Sequence, residues 1–174
     1  MTTVVVCGAS GVGKSTLGEL LADRIGAAWA EGDDFHSPAN VATMAAGRPL
    51  TDADRQPWLR AIAAWIGERE RDGRDAVVAC SALKRRYRDV LRDGHRSVVF
   101  VQLRAPADEL ERRTAVRRHR YMPASLLASQ LDILEPLATD EPGFVLDAVG
   151  DPEALVGAIV ERLGLQPTTE GIRE

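Results

Sequence analysis

The sequence predicts a single α/β domain with three layers, in which helices cover both faces of a parallel β-sheet. Apolar strand-like runs alternate along the chain with segments whose apolar residues recur every three or four positions, which is typical of βαβ units. Residues 76–80 are continuously apolar, as expected of a strand buried on both faces. The 174 residues are 45% hydrophobic and 28% charged, which fits one soluble domain with a single large core.

The strands follow from these apolar runs. Residues 2–7 predict the first strand, and residues 14–25 predict the first helix because Leu17, Leu21 and Ile25 recur on one face. Further strands are predicted, in chain order, at about residues 27–31, 76–80, 97–103 and 144–146.

Helices are predicted between the strands. Ser37 followed by Pro38 is a typical helix start, and Asp52 or Asp54 is expected to cap a longer helix. The apolar face of that longer helix consists of Trp58, Ile62, Trp65 and Ile66. The remaining helices are predicted at about residues 84–92, from 106 toward 120, at 124–134 and at 152–163.

The most informative motif is GASGVGKS at residues 8–15, which matches G-x-x-x-x-G-K-[ST] between the first strand and the first helix. Glycines let such a P-loop turn its backbone N–H groups toward a phosphate, and the helix dipole adds to the attraction. We expect Lys14 to reach the β- and γ-phosphates of a nucleoside triphosphate, Ser15 to bind Mg²⁺ and Thr16 to contact the α-phosphate. The nucleotide-binding residues predicted in this way are Gly8, Ser10, Gly11, Val12, Gly13, Lys14, Ser15 and Thr16.

The net charge, the cysteines and the absence of long apolar stretches indicate which partners and which cellular location to expect. The net charge of −4 argues against binding to nucleic acid through bulk electrostatics. Cys7 and Cys80 each end a predicted strand and are expected to be buried thiols rather than metal ligands. No apolar stretch approaches the roughly 20 residues that span a bilayer. The N-terminus runs directly into the first strand, so we expect no signal peptide, no membrane contact and a cytoplasmic protein.

Three classes of P-loop protein compete: small-molecule kinases, GTPase switches and ATP-driven motors. A GTPase should carry an N-K-x-D motif, which the sequence lacks. Residues 147–150 match D-x-x-G but follow the last strand, so we interpret that match as chance. A motor ATPase usually ends a strand with a metal-binding acid, whereas residues 76–80 lead into Ser81. A kinase remains, with a non-catalytic ATP-binding regulator as the alternative from another class.

An acidic turn after the second predicted strand offers a catalytic group for a kinase. Ligands collect outside the carboxyl ends of parallel strands, so Gly32, Asp33 and Asp34 should lie beside the P-loop. A carboxylate there can orient an acceptor hydroxyl and take its proton during attack on the γ-phosphate. An isolated aspartate often only shapes a turn, but this position favours Asp33 as a general base.

A basic cluster precedes Pro123. Arg112 and Arg113 are expected on a solvated helix face. Arg117, Arg118 and Arg120 follow where the helical pattern stops, and we expect a mobile lid there that brings such arginines, Arg117 and Arg120 above all, over the triphosphate to stabilise charge. An RNA-binding patch is the alternative, and the negative net charge and scarcity of nearby aromatic residues argue against it.

Two polar segments, residues 51–55 and 81–88, also follow parts of the chain that should end on the ligand side of the sheet. Arg55, Lys84 and Arg88 in these segments could hold an anionic, hydroxyl-rich acceptor. Together these three cations indicate an acidic substrate, because a kinase that acts on a neutral sugar would not need them. A shikimate-like or nucleotide-like acceptor remains an alternative.

Several longer blocks resemble the gluconokinase family. Residues 32–47 are similar to its G-D-x-x-H-P-x-x-N-x-x-K-M-x-x-G segment, and residues 49–59 to its P-L-x-D-x-D-R-x-P-W-L signature. Residues 80–88 resemble its C-S-A-L-K-x-x-Y-R block, and residues 129–136 its S-Q-x-x-x-L-E-P block. The P-loop is shared by many proteins, whereas these blocks are far more specific, and they cover nearly the whole chain except its tail.

The resemblance implies ATP-dependent phosphorylation of the 6-hydroxyl of D-gluconate, which gives 6-phospho-D-gluconate and ADP. It also implies a nucleoside-monophosphate-kinase-like P-loop NTPase fold with a five-stranded parallel sheet and a helical lid, commonly as a homodimer. By the same likeness Asp33 is the general base. The acceptor-binding residues that we assign are Asp33, His36, Arg55, Ser81, Lys84, Arg88 and Gln130.

The sequence departs from the family pattern at two places. The family's lid has glycine and histidine where this chain has His119 and Arg120, so either of these two residues could take the histidine role. The lysine of the family's segment that matches residues 32–47 is replaced by Thr43. We expect one kinase domain at residues 1–165, a lid at about 117–136 and a mobile tail at 166–174.

Overall fold

A computed structural model of the chain describes residues 1–116 and 126–168. The strands are β1 (Thr3–Cys7), β2 (Ala28–Glu31), β3 (Ala76–Ala79), β4 (Val98–Arg104) and β5 (Gly143–Asp147). The helices are α1 (Lys14–Ile25), α2 (Pro38–Ala45), α3 (Asp52–Arg71), α4 (Arg85–Arg92), α5 (Ala107–Val116), α6 (Leu126–Ile133) and α7 (Pro152–Leu163), and Gly32–Phe35 forms a short 3₁₀ turn. All strand pairs are parallel, in the order β2-β3-β1-β4-β5. The predicted α/β fold with a five-stranded parallel sheet is confirmed.

Successive side chains of β1 point to opposite faces of the sheet, and the hydrophobic core accordingly has two halves. Val4 and Val6 face one side of the sheet and pack with residues of α1 and α7, whereas Val5 and Cys7 face the other side and pack with α3 and α4. All four side chains are completely buried. A strand that is covered on both faces must be apolar on both, which explains the continuous apolar runs and gives the three predicted layers.

The two cysteines are buried free thiols, as predicted. Burial raises the pKa of Cys7 to about 12 and raises the pKa of Cys80 as well. Both thiols therefore stay protonated at neutral pH and act as small apolar side chains at the ends of β1 and β3.

Thr51 caps α3, and the prediction that Asp52 or Asp54 does so is wrong. The Thr51 hydroxyl accepts a hydrogen bond from the Asp54 N–H at 3.2 Å, while the Asp54 carboxylate accepts one from the Thr51 N–H at 2.8 Å. This capping box leaves Asp52 as the first helical residue, free to turn its carboxylate toward Lys84. Of the predicted apolar face, Trp58, Ile62 and Ile66 are buried and Trp65 is half-buried.

The beginning of the predicted tail is packed against α1. The N–H of Thr168 donates to the carbonyl of Arg24 at 3.0 Å. Residues 117–125, in the predicted lid, and 169–174 lie outside the described residues, so the bounds of domain, lid and tail stay predictions. Among the helices that the structure describes, none is long and apolar enough to cross a membrane.

Arg88 belongs to the scaffold, which corrects its prediction as an acceptor ligand. Its side chain is completely enclosed and bonds the Glu141 carboxylate at 2.6 and 2.9 Å. Its remaining N–H groups donate to backbone carbonyls, which belong to Ala82, Leu83, Glu135 and Pro136. An enclosed guanidinium with every donor used has none left for a substrate.

We expect Arg88→Met to lower the free energy of unfolding by about 3–5 kcal/mol, because it leaves Glu141 as a buried charge without a partner. Chemical denaturation measures this change. Arg85→Met is the matched control, since Arg85 pairs with Asp140 at the exposed surface, and it should cost less than about 1 kcal/mol. A loss for Arg88→Met as small as that of Arg85→Met would contradict a structural ion pair.

The ion pair between Arg88 and Glu141 should also make the stability of the protein depend on pH in the acidic range. Burial alone would raise the pKa of Glu141, but the hydrogen bonds that it accepts from Arg88 and from the Ala138 N–H, together with the charge of Arg88, outweigh burial and hold the pKa below its ordinary value of 4.5. A lowered folded-state pKa stabilises the protein above pH 4.5, and this contribution is lost as the pH falls through the lowered value. Between pH 7 and pH 3, the free energy of unfolding should fall less steeply in Arg88→Met than in the unsubstituted protein, as measured by chemical denaturation at each pH.

Candidate active site

Three loops meet at the carboxyl edge of the sheet, after the neighbouring strands β1, β2 and β3. The N–H of Gly8 donates to the carbonyl of Ser81 at 3.2 Å and so joins the loop after β1 to the loop after β3. Gly32, directly after β2, lies so close to β3 that a Cβ would stand 2.2 Å from the Ala79 carbonyl oxygen. This approach requires glycine, and it places Asp33 at the same edge as the P-loop.

The P-loop, residues 8–15, leaves donors for an anion. Gly11 has a φ of +79°, and a Cβ there would lie 2.6 Å from the Thr114 hydroxyl, so only glycine fits. The N-cap of α1 is Gly13, which has no side chain of its own to cap the helix. The first N–H groups of α1 therefore remain for a ligand, beside the exposed residues Ser15 and Thr16. This geometry suits the phosphate contacts that the sequence predicts.

Lys14 lies half-buried between the P-loop and two acidic side chains. Its Nζ donates to the carbonyl oxygen of Ala9 at 3.0 Å. Burial lowers the pKa of Lys14, and the negative charges of Asp33 and Glu31 oppose this change. Asp33 thus lies near enough to the P-loop for its charge to act on Lys14.

Glu31 is a site residue that the sequence analysis missed. Burial raises the pKa of Glu31, and a hydrogen bond from the Ser15 hydroxyl opposes the rise. Glu31 is the last residue of β2, so the edge rule that selected Asp33 could have selected it as well. Within residues 1–116 and 126–168, no group of three or more His, Cys, Asp or Glu side chains could hold a metal ion. A Mg²⁺ ion at Ser15 and Glu31 would therefore need further oxygen ligands, such as phosphates or water.

Most predicted acceptor residues line one cavity next to the P-loop, which we call the acceptor cavity. Its polar wall consists of Asp33, His36, Arg55, Ser81, Ser129 and Gln130. Its apolar wall consists of Met44, Pro49, Leu50, Trp58, Leu83 and Leu126. Of the seven predicted acceptor residues, Lys84 and Arg88 are not in this wall.

His36 is held flat against Trp58 in the acceptor cavity. The two rings stack with centroids 4.3 Å apart and planes inclined by 12°. Trp58 is fixed in turn, because its Nε1 donates to the carbonyl of Gly32 at 2.7 Å. Burial lowers the pKa of His36, against the opposing charge of Asp33, so the imidazole is neutral at pH 7. A neutral imidazole can exchange hydrogen bonds with a hydroxyl group.

Arg55 reaches the acceptor cavity from α3, whereas Lys84 is held outside it. Arg55 donates to the carbonyl of Leu50 at 2.5 Å and lies 3.4 Å from the Tyr87 hydroxyl. The Lys84 ammonium bonds the Asp52 carboxylate at 3.2 Å. Hydrogen bonds from Tyr87 and Lys84 lower the pKa of Asp52. Arg55 is therefore the predicted cation that has direct access to an acceptor in this conformation.

Arg113 was predicted to be solvated, but it joins three parts of the site. Its guanidinium lies 3.4 Å from the Val12 carbonyl oxygen and 3.1 Å from that of Ala148, and it bonds the Glu109 carboxylate at 2.6 Å. Its neighbour Arg112 is 74% exposed, as predicted. The helical pattern alone could not separate the two arginines, because the difference lies in which face α5 turns toward the P-loop.

A second cavity, which we call the outer cavity, lies on the other side of the P-loop. It is lined by Gly11, Val12, Gly13, Thr16, Leu17, Arg112, Arg113, Ala148, Gly150, Pro152 and Leu155. Residues 147–150, interpreted from the sequence as a chance D-x-x-G match, contribute Ala148 and Gly150 because β5 ends at the same edge of the sheet. The predicted lid residues Arg117, His119 and Arg120 lie outside the described residues, and their roles stay predictions.

Comparison with known proteins identifies the relatives of this chain. A family model described as an AAA domain matches residues 4–137. The chain is 43% identical over 157 residues to a gluconokinase of Gluconobacter oxydans (strain 621H), a match that covers 90% of this chain and 88% of that protein. It superposes on an unliganded sugar kinase from Janibacter sp. HTCC2649 with a TM-score of 0.90, 49% identity and 96% of each chain covered. It superposes on a gluconokinase from Sinorhizobium meliloti 1021 with a TM-score of 0.77, 38% identity and coverage of 94% and 95%. The chain therefore belongs to the gluconokinase family of P-loop kinases.

Proposed function

We propose that the chain transfers the γ-phosphoryl group of ATP to the 6-hydroxyl of D-gluconate and produces 6-phospho-D-gluconate and ADP. The observation that carries the proposal is that Asp33 and Arg55 line the same cavity. Asp33 is also close enough to the P-loop for its charge to act on Lys14. A general base and a cation in one cavity suit an acceptor that has both a hydroxyl and a carboxylate. The similarity to gluconokinases supports gluconate as that acceptor.

On the donor side, the N–H groups of residues 11–15 and the Lys14 ammonium would bind the phosphates of ATP. The outer cavity suits the adenine ring, because Leu17, Ala148 and Leu155 give it apolar walls. Mg²⁺ would be held by Ser15, with Glu31 beside it, and would neutralise phosphate charge. From the lid, Arg117 and Arg120 would add positive charge around the transferring group.

On the acceptor side, Asp33 orients the 6-hydroxyl and takes its proton. The hydroxyl oxygen then forms a bond to the γ-phosphorus while the bond from that phosphorus to the bridging oxygen breaks, and ADP leaves with the electron pair. Arg55 balances the charge of the gluconate carboxylate. Neutral His36 and the polar atoms of Ser81 and Gln130, which line the same cavity, would bond the remaining hydroxyls.

We also propose that the chain forms a homodimer and acts in the cytoplasm. The homodimer rests on the resemblance to the gluconokinase family. The location rests on the proposed donor, ATP, and on two buried free thiols, which suit a reducing compartment.

The proposal is tested by measuring ADP release with a panel of acceptors that contains gluconate, other aldonates, shikimate and nucleoside monophosphates. We expect gluconate to give the highest kcat/KM, and ³¹P NMR of the product to show a phosphomonoester at O6. Faster turnover of another acceptor would reassign the substrate. ADP release that no acceptor stimulates would contradict a kinase and favour a non-catalytic ATP-binding protein.

Asp33→Asn should lower kcat by about 10²–10⁴-fold, because the amide cannot accept the hydroxyl proton. The KM for gluconate should change much less, since the amide can still bond the hydroxyl. Asp34→Asn is the control, because Asp34 is exposed in the same turn and is not part of the cavity wall. Steady-state kinetics in which Asp33→Asn keeps near-normal turnover would remove the general-base assignment.

Arg113→Met should raise the KM for ATP by roughly tenfold or more, because it removes two charge-assisted bonds that join the P-loop to the loop after β5. Arg24→Met should leave the KM for ATP within about twofold, since Arg24 pairs with Glu153 at the exposed surface and does not line the outer cavity. Equal effects of the two substitutions would show that net charge, rather than these two bonds, governs ATP affinity.

A further inference from the structure

Gln130 touches both substrate sites of the enzyme. It lies on α6 and is 7% exposed. Its side chain lines the acceptor cavity, and its Oε1 accepts a hydrogen bond from the N–H of Ser10 in the P-loop at 2.7 Å. This buried bond joins residues that are 120 positions apart in the chain. One side chain thus connects the wall of the acceptor cavity to the loop that holds the donor.

The peptide group that Gln130 bonds is the same one that holds Lys14. The N–H of Ser10 and the carbonyl of Ala9 belong to one planar peptide unit. The carbonyl accepts from the Lys14 ammonium at 3.0 Å while the N–H donates to Gln130. Because the unit rotates as a whole, a shift of the Gln130 amide reorients the carbonyl that Lys14 bonds. Hydrogen bonds in such a chain also polarise and strengthen one another.

The two ends of α6 have different surroundings. After its C-terminal end, the N–H of Glu135 donates to the Leu83 carbonyl at 2.8 Å, and the Glu135 carbonyl accepts from Gln102 at 3.1 Å. At its N-terminal end, Leu126 packs with Met44 and Leu50 in a small apolar cluster that is separate from the two halves of the core. All three residues of this cluster also line the acceptor cavity. An acceptor in the cavity therefore contacts the N-terminal end of α6.

We propose that Gln130 couples the two substrates: gluconate bound against α6 fixes the Gln130 amide, which holds the Ala9–Ser10 peptide and Lys14 in the arrangement that binds ATP. This inference rests on the proposed function. A P-loop that is ordered before ATP arrives pays less conformational entropy on binding, so the two substrates bind with positive cooperativity. Gln130 is a positioning residue in this account, because it acts on the phosphates through the P-loop.

The test is the Kd of a non-hydrolysable ATP analogue with Mg²⁺, measured by calorimetry with and without saturating gluconate. For the parent protein we expect gluconate to tighten binding by about fivefold or more, and the analogue to tighten gluconate binding by the same factor. Gln130→Leu keeps the approximate size of the side chain but removes the oxygen that accepts the hydrogen bond from Ser10. The factor by which each substrate tightens binding of the other should therefore fall to about one. Gln130→Glu restores an acceptor oxygen and should restore the coupling, even though its added negative charge weakens binding of the analogue.

Asp132→Asn, an exposed substitution on the same helix, should leave the coupling factor unchanged. A parent protein that binds gluconate with a coupling factor of one would overturn the role of Gln130 while the proposed function stands. Parental coupling in Gln130→Leu would overturn it as well. A parent protein that gives no heat with gluconate at all would overturn the proposed function together with this inference.

Discussion

The parallel pairing of β1, β2 and β3 is the constraint on which the whole site depends, because it brings three loops from distant parts of the chain to one edge. The pairing is close enough for the Gly8 N–H to bond the Ser81 carbonyl, and for β3 to exclude any side chain at position 32. Asp33 is consequently placed by backbone contacts rather than by its own side chain. A rigid position is what a general base requires, since proton transfer needs hydrogen-bond distance to the acceptor.

The buried charged residues stabilise the fold, whereas the charged residues that line the acceptor cavity remain available to a substrate. Arg88 and Glu141 are enclosed and bond each other and the backbone, so they hold α4 and the segment after α6 in place. Arg55 and Asp33 stay in the wall of a cavity, where their charges remain available. The neutral state of His36, which its burial favours, avoids adding a third charge to this cavity.

The sequence predicts the fold well because apolar periodicity and loop chemistry are local signals: α1 and α7 have the predicted bounds, and Asp33 lies at the predicted edge. What it could not predict depends on the direction in which a side chain points. Arg55 and Arg88 are equivalent in a polar motif, yet one faces a cavity and the other is enclosed. Arg113 was missed because the rotation of α5 is a tertiary property, whereas Glu31 could have been found by applying the edge rule to the end of β2.

The most direct test of the account is a crystal structure with ADP, Mg²⁺, a planar analogue of the transferring phosphoryl group, and gluconate. A carboxylate oxygen of Asp33 should lie about 2.6–3.2 Å from O6 of gluconate, with the P-loop N–H groups on the opposite side of the analogue. An Asp33 side chain that points away from O6, with another group in its place, would contradict the general-base role.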